Sequence, residues 1–299
     1  MIHPLIEERS KDLPLHRLCQ LASVPRSSYY RAAKGVTPAT ADRDEAVLSE
    51  IRVICEEMSG YGSPRVTREL HRRGHLVNHK RVSRLMRANN LNCRRKKRFV
   101  NTTDSKHSFR VYPNLAKDIV PTAPNQLWRA DITYIRLLSE FVYLAIILDA
   151  FSRRVIGWAL SRHIDAQLTL TALRMALHDR KIDPGVTHHT DQGVQYACHE
   201  YIEELEKHGF RISMSRKGNP YDNAMAESFM KTLKVEEVYI NEYRNFKEAQ
   251  NNIEHFIKIV YNSKRLHSSL GYRTPEEVEA LFINQVPTLT TTKTVSAMG

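Results

Sequence analysis

The 299-residue sequence predicts an α/β core preceded by an all-helical region of helix-turn-helix type. Three features carry this expectation. Apolar residues recur at helical spacing through Arg87. From Gln126 the period changes to short branched and aromatic runs. Those runs then alternate with helix-like segments in the order β-β-β-α-β-α-β-α, which is the ribonuclease H-like arrangement.

Leu13 to Gly35 divides into two short helical segments around Ser23-Val24-Pro25, half of a helix-turn-helix. Thr37 to Asp42, rich in Ala, Thr and Pro, reads as a linker. Val47, Leu48, Ile51, Ile54 and Cys55 make the stripe of a helix from Asp42 to Met58. Ser63 and Pro64 start a second helix, and Asn78 caps a third. The third has Val82, Leu85 and Met86 on its inner face and Arg81, Arg84 and Arg87 on its outer face. Such a compact basic unit can lay one helix in a DNA major groove, although a small protein-binding bundle has the same pattern. Arg94, Arg95, Lys96, Lys97 and Arg98 follow as a basic arm. The expected organisation is a partial helix-turn-helix over 1–36, a helical DNA-binding domain over 42–98 and a proline-bearing linker over 101–125. A catalytic core over 126–285 and a disordered threonine-rich tail over 287–299 complete it.

In the core, the run through Trp128, Ile132, Tyr134 and Ile135 is the first strand. Phe141 to Leu148 and Arg154 to Leu160 complete a meander. A helix with Asp165 near its start follows, then a strand from Val186 to Thr190, a helix from Tyr201 to Gly209 and a strand from Arg211 to Met214. In this topology the first and fourth strands are neighbours. Gly218 to Asn223 is a polar turn in which Asp222 or Asn223 can cap the next helix, which carries Ala226, Phe229, Met230 and Leu233 as its apolar stripe. Glu242 to Tyr261 reads as one long amphipathic helix, followed by a polar loop with Arg265 and His267. Thr274-Pro275-Glu276-Glu277 is a capping box for a final helix.

Three acids stand out: Asp131 inside the first strand, Asp191 at the end of the fourth and Glu227 on the helix. A charge within a hydrophobic strand is expensive without a partner or cation. Convergent carboxylates suit hard divalent cations, Mg²⁺ or Mn²⁺. Glu227, Lys231 and Lys234 share a helix face, which fits either a site that grips metal and phosphate together or a surface ion-pair ladder. Asp149 ends an apolar strand and could be a fourth acid, but it also begins a turn, where Asp is favoured.

Apolar residues make up 41% of the chain and charged residues 26%, with a net charge of +12. Such basicity attracts polyanions, nucleic acid foremost. The longest apolar run is too short to span a bilayer, and the amino terminus lacks the pattern of a signal peptide. A cytoplasmic protein without membrane association is expected. Cys19, Cys55, Cys93 and Cys198 have no paired spacing, which argues against a disulfide scaffold or zinc site, and His71, His75 and His79 lack a cysteine pair.

Taken together, these motifs resemble the OrfB product of IS3-family insertion sequences, DDE transposases with a retroviral-integrase-like core. The resemblance rests on Trp128 to Tyr134, on His189-Thr190-Asp191-Gln192-Gly193, and on Asp222-Asn223-Ala224 through Glu227 to Lys234. It extends to Tyr261-Asn262, Arg265, His267, Leu270-Gly271-Tyr272 and Thr274-Pro275, and in the helical region to Tyr61-Gly62, Arg65-Val66 and Asn78-His79-Lys80. Positions 192 to 226 put 35 residues between Asp191 and Glu227, the family's spacing. The resemblance implies that Asp131, Asp191 and Glu227 are both catalytic and metal-binding, with two Mg²⁺ (Mn²⁺ as substitute). It implies DNA nicking followed by 3′-OH strand transfer, with Lys231 and Lys234 on phosphates. Implied partners are element ends, target DNA, a homo-oligomer on DNA, and an upstream OrfA protein or OrfAB fusion, since the family's functional enzyme is often such a fusion. The implied setting is the bacterial cytoplasm, on the nucleoid when bound. An inactive DNA-binding regulator and a ribonuclease H-like nuclease without strand joining are the alternatives.

Overall fold

The computed structural model describes residues 13–33, 38–92, 109–216, 219 and 222–285. The expected basic arm at Arg94–Arg98 and the expected tail beyond Pro287 lie outside them. The described chain forms two compact units, one of residues 13–57 and 66–92 and the other of residues 58–65 and 109–285.

The first unit is helical: α1 (Leu15–Leu21), α2 (Arg26–Ala33), α3 (Pro38–Glu57), most of α4 (Ser63–Arg72) and α5 (His79–Ala88). The stretch expected to be a linker from Thr37 to Asp42 is helical from Pro38, which a proline at the first position permits. Asn78 caps α5, its side chain accepting from Lys80 N at 2.8 Å. Val82, Leu85 and Met86 are buried as the periodicity requires. His71 Nε2 lies 2.8 Å from the Val77 carbonyl, a structural contact between two turns.

The second unit is built on β1 (Leu127–Arg136), β2 (Phe141–Asp149), β3 (Val155–Ser161), β4 (Thr187–Thr190) and β5 (Arg211–Met214), in the order β3-β2-β1-β4-β5. The β1–β2 and β2–β3 pairs are antiparallel, and β1–β4 and β4–β5 are parallel. This is the α/β, ribonuclease H-like topology read from the sequence. Period-2 alternation divides the sheet between two cores. Trp128, Ala130 and Ile147 pack with α6 (Ala166–Asp179) and α8 (His199–Lys207) on one face. Ile135, Leu144 and Ile146 pack with α9 (Ala224–Leu233) and α10 (Phe246–His255) on the other. Asp165 caps α6, accepting from Leu168 N at 3.0 Å. Gly157 lets α6 approach closely, since a Cβ there would lie 2.2 Å from the Ala172 carbonyl oxygen.

Several segments differ from expectation. A short α7 (Val194–Ala197) precedes α8. Residues 109–125 are not a free linker: Leu115 N donates to Ser213 Oγ at 2.8 Å, and Ala116 is buried with Leu127 and Ala150. The long helix expected from Glu242 begins at Phe246, capped by Asn245, and continues as a π-helical stretch over Phe256–Lys264. A second π turn, Lys234–Val238, ends α9. The loop expected to be polar holds Arg265 and His267 buried, 4% and 6% exposed. The final helix, α11 (Pro275–Gln285), carries the reciprocal capping box: Thr274 N donates to Glu277 Oε2 at 2.8 Å and Glu277 N to Thr274 Oγ1 at 3.2 Å. Buried Glu279 fixes α11 to the β2–β3 turn through Ser152 and Arg154, and to the end of α6 through Arg180.

Candidate active site

Parallel pairing of β1 with β4 ends at Arg129↔His189. Asp131 and Asp191 each stand two residues beyond that pair, so the two strands deliver them at the same level as they part. Asp131 faces the α9 side of the sheet by alternation, and its Oδ1 accepts from Ile132 N at 2.9 Å. Asp191 sits in the turn after β4, where Oδ1 accepts from Gly193 N at 2.9 Å. A Cβ on Gly193 would lie 3.0 Å from that oxygen, so glycine there preserves room around the acid. Glu227 lies in the first turn of α9 and is exposed.

Burial, then the negative charges of Asp191 and Glu227, push the Asp131 carboxyl up to about 8, against the Ile132 N–H and the Lys234 ammonium. Burial also raises Glu227. The Tyr196 hydroxyl is buried without a hydrogen-bond partner among the described residues, and its phenol is held neutral by burial and by Tyr201, Asp131 and Asp191. Among the described residues no three His, Cys, Asp or Glu side chains close around a single point as a finished metal cage. The donor set nevertheless suits a divalent cation: hard carboxylate oxygens with mutually repelling charge, one of them half-buried.

Asp131 makes a prediction with a definite sign. A carboxyl raised to about 8 keeps its proton in the folded chain across a range where the unfolded chain, near 3.8, has lost it. The Asp131 contribution to folded stability without divalent ions therefore falls as pH rises from about 4 through 8, against the opposite contribution of the buried neutral His188, His189 and His267. Asp131→Asn should abolish that fall, leaving stability unchanged below pH 4 and raising it by about 1–3 kcal/mol above pH 8. Urea melts in EDTA across this range measure it, and parallel pH profiles for the two proteins would refute it.

A clasp joins the strand of Asp131 to the helix of Glu227. The Arg129 guanidinium donates to the Asp222 carbonyl, and Asn223 Nδ2 donates to the Ala130 carbonyl at 2.9 Å. The helix cap read at Asp222 or Asn223 is thereby corrected. Asn223 occupies the cap position but its side chain makes no cap bond. The Asp222 carboxylate instead turns to Arg216, accepting from its backbone N at 2.9 Å and from its guanidinium at 3.0 and 3.1 Å. That pairing holds the Asp222 carboxyl well below the usual range. Sequence reading missed Arg129 and Tyr196; the two-residue offset of Arg129 from Asp131 on the same strand face was the available signal.

Lys231 and Lys234 separate. Lys231 is exposed on α9 and makes no ion pair with Glu227 among the described residues. Lys234 begins the π turn, its Nζ 4.4 Å from the Tyr134 ring centroid and half-buried. Its charge attracts the Asp131 carboxylate. Asp149, the alternative acid, is fully buried and organises its turn, accepting from Asn125 N, Phe151 N and Ser152 N.

In the helical unit the arginine face is only partly free. Arg81 Nε and Arg84 NH2 both bond Asp44, at 2.7 and 2.6 Å. A shallow hollow on α5 is lined by His79, Lys80, Ser83, Arg84, Arg87 and Ala88.

Residues 121–220 and 208–275 match the Integrase core domain family, and residues 42–99 match the HTH-like domain family. The chain is 38% identical over 260 residues to the insertion element IS600 31 kDa protein of Shigella sonnei, covering 86% of this chain and 96% of that one. It is 34% identical over 286 residues to Transposase InsF for insertion sequence IS3A of Escherichia coli, covering 93% and 98%. The chain belongs to the IS3-family transposases. For an IS3-family chain, the five-stranded sheet is the integrase-type core and the preceding helices its HTH-like region. The HTLV-2 integrase catalytic core domain in complex with magnesium also aligns, at 17% identity and a TM-score of 0.43, over 53% of this chain and 98% of that one. No helix among the described residues is long and apolar enough to cross a membrane.

Proposed function

We propose that this IS3-family chain cuts DNA at the ends of an insertion sequence and joins the freed 3′-OH to a second phosphodiester, with Asp131, Asp191 and Glu227 as its catalytic acids. The observation that carries the reading is the register: two parallel strands release Asp131 and Asp191 at one level, while the clasp holds the Glu227 helix to the same strand. In the first step water adds to phosphorus and the P–O bond to the 3′-oxygen breaks, leaving a 3′-OH and a 5′-phosphate. In the second, that 3′-OH forms a new P–O bond as the target's 3′-oxygen leaves, so no ATP is consumed. Divalent Mg²⁺ or Mn²⁺ bound by the three acids would supply charge neutralisation at the attacking and leaving oxygens. The chain's own residues fix the geometry: Asp131 on a rigid strand, Asp191 on a glycine-relieved turn and Glu227 on a clasped helix. Lys231 and Lys234 are the proposed phosphate contacts, with the Lys234 charge also acting electrostatically on Asp131.

The 42–98 region and its basic arm are the proposed DNA-binding domain, 126–285 the catalytic domain, and element ends and target DNA the substrates. A homo-oligomer on DNA, an OrfA or OrfAB partner, and a cytoplasmic, nucleoid-associated location belong to the same reading. Incubation of the protein with labelled element-end DNA and Mg²⁺ tests it, with nicked and joined products scored separately. Nicks without joining indicate a nuclease, and binding without either product a regulator.

The α5 face gives a second expectation. Replacing Arg81, Arg84 and Arg87 by Gln should flatten the slope of log affinity against log salt, with Arg87 alone accounting for about 0.9. Arg81 and Arg84 contribute less because Asp44 already holds both. An unaltered slope in the triple variant removes α5 from the DNA interface.

A further inference from the structure

In the helical unit one carboxylate of α3 answers two arginines of α5. Asp44 Oδ1 accepts from Arg81 Nε at 2.7 Å, and its Oδ2 accepts from Arg84 Nη2 at 2.6 Å. The Arg84 bond foremost holds the Asp44 carboxyl below its ordinary range, so it is charged at neutral pH. The three side chains differ in exposure: Asp44 13%, Arg81 32% and Arg84 56%. Arg84 is thus anchored through Nη2 while the rest of its guanidinium faces solvent without a partner among the described residues. It lines the shallow hollow of α5 together with two short side chains, Ser83 and Ala88, and two long cationic ones, Lys80 and Arg87. Lys80 and Arg87 are exposed and have no carboxylate within ion-pair distance among the described residues.

An intramolecular carboxylate is a poor companion for a phosphate-binding arginine. Phosphate contacts gain from free positive charge and counterion release. Asp44 cancels one of the two charges and repels a DNA backbone. Reading a base edge makes the opposite demand, because hydrogen bonds to bases depend on direction and the donor fork must keep one orientation. A bond to Asp44 on a neighbouring helix supplies that orientation before DNA arrives, which spares the ordering cost of a long side chain. Lys80 and Arg87, free of such a bond, keep the charge that phosphates require.

We propose that Arg84, buttressed by Asp44, is a specificity-determining residue whose guanidinium reads the N7 and O6 edge of a guanine in the DNA major groove. Arginine on that edge makes a pair of hydrogen bonds that the other bases do not accept in the same geometry. Ser83 and Ala88 are short enough to let a base edge approach α5 beside Arg84, and Lys80 and Arg87 meet the flanking phosphates. The proposal rests on the reading of the chain as a DNA enzyme and names the residue that gives it a sequence preference.

The test uses the full chain in EDTA, so that no cleavage step enters. A randomised DNA duplex pool is bound and the bound fraction sequenced for the unsubstituted protein, Arg84→Gln, Arg84→Lys, Arg87→Gln and Asp44→Ala, with melting temperatures recorded for each. The unsubstituted protein should enrich guanine about 5- to 100-fold at one position of its site. Arg84→Gln should lose that preference alone, while its slope of log affinity against log salt changes by much less than the roughly 0.9 of a full phosphate contact. Arg87→Gln should do the reverse, flattening the slope and keeping the preference. Asp44→Ala supplies a readout that a merely structural ion pair would not move: the slope should steepen as both arginines are freed, while the guanine preference falls. A duplex with 7-deazaguanine at the selected position, which lacks the N7 acceptor, should bind the unsubstituted protein more weakly and Arg84→Gln equally well. Arg84→Lys keeps the charge but not the planar fork, so its guanine preference should also fall, and it decides the matter where Arg84→Gln folds poorly. A guanine preference that survives intact in the folded Arg84 variants overturns the proposal. So does an Arg84→Gln slope as flat as that of Arg87→Gln with the preference unchanged, which makes Arg84 a phosphate contact. Binding by the unsubstituted protein without any guanine preference overturns the proposal alone, whereas no DNA binding at all overturns it together with the reading beneath it.

Discussion

Asp131→Asn, Asp191→Asn and Glu227→Gln are each expected to lower DNA strand cleavage by about three orders of magnitude or more while leaving the chain folded and able to bind DNA. All three replacements preserve shape, and those at Asp131 and Asp191 keep an amide oxygen able to accept from Ile132 N and Gly193 N. What they remove is negative charge at the place where burial and like charges already press on Asp131. Glu227 is the sharpest case because it is exposed and pairs with no lysine among the described residues. A purely surface role predicts a change of a few tenths of a kcal/mol and intact cleavage. A ligand role predicts lost cleavage together with a smaller Mn²⁺-induced rise in melting temperature than the parent shows. Lys231→Ala should keep that rise and weaken DNA binding instead. Equal Mn²⁺ binding by the parent and Glu227→Gln, in calorimetric titrations with and without DNA, would remove Glu227 from the metal site.

Glu236→Ala should be the most destabilising single change outside the apolar core, by about 3–5 kcal/mol. The pair it breaks is bidentate and nearly dry, with side chains 5% and 10% exposed. Removing the carboxylate leaves Arg265 buried beside Arg65 with no compensating charge. Chemical denaturation measures the loss. Arg265→Met with Glu236→Leu should recover much of it, since a volume-matched apolar pair avoids both desolvation penalties. A loss below about 1 kcal/mol would show that water reaches this pair as it does a surface one.

The sequence announces the sheet and two of the three acids' neighbourhoods because those signals are local. Alternation in Leu127–Arg136 and the apolar run of β2 mark strands, and Asn78, Asp165 and Thr274 mark helix starts by chemistry that reaches only two or three residues. Adjacency of β1 and β4 follows from topology, so the meeting of Asp131 with Asp191 could be anticipated. The failures involve distant partners. Asn223 looks like a cap, yet its amide is claimed by Ala130, 93 residues away. Arg81 and Arg84 look like a free basic face, yet Asp44 answers them from 37 and 40 residues earlier. Arg265 and His267 sit among serines that suggest an exposed loop, and only tertiary packing buries them. The π turns were equally invisible, because an added residue in a helical turn leaves the apolar stripe nearly intact.

The strap at 58–65 bears on how such a protein can be taken apart. Tyr61 is 1% exposed, its hydroxyl accepts from Leu266 N at 2.7 Å, and Arg65 holds the Leu266 carbonyl. Gly60 completes the fit, for a Cβ there would lie 2.3 Å from the Glu236 side chain. The chain thus lends eight residues to the catalytic unit, goes back to finish the helical one, and only then builds the sheet. A fragment cut at the start of the sheet would carry a severed backbone pair at Leu266 and an emptied slot beside Glu236. Exchange of helical regions between relatives faces the same obstacle: a single crossover after the helices brings in a foreign strap along with the foreign helices. Such a crossover keeps this fit only where the incoming strap matches the resident Leu266–Glu236 groove, so the stretches at 58–65 and 236–266 are structurally one part although far apart in the chain.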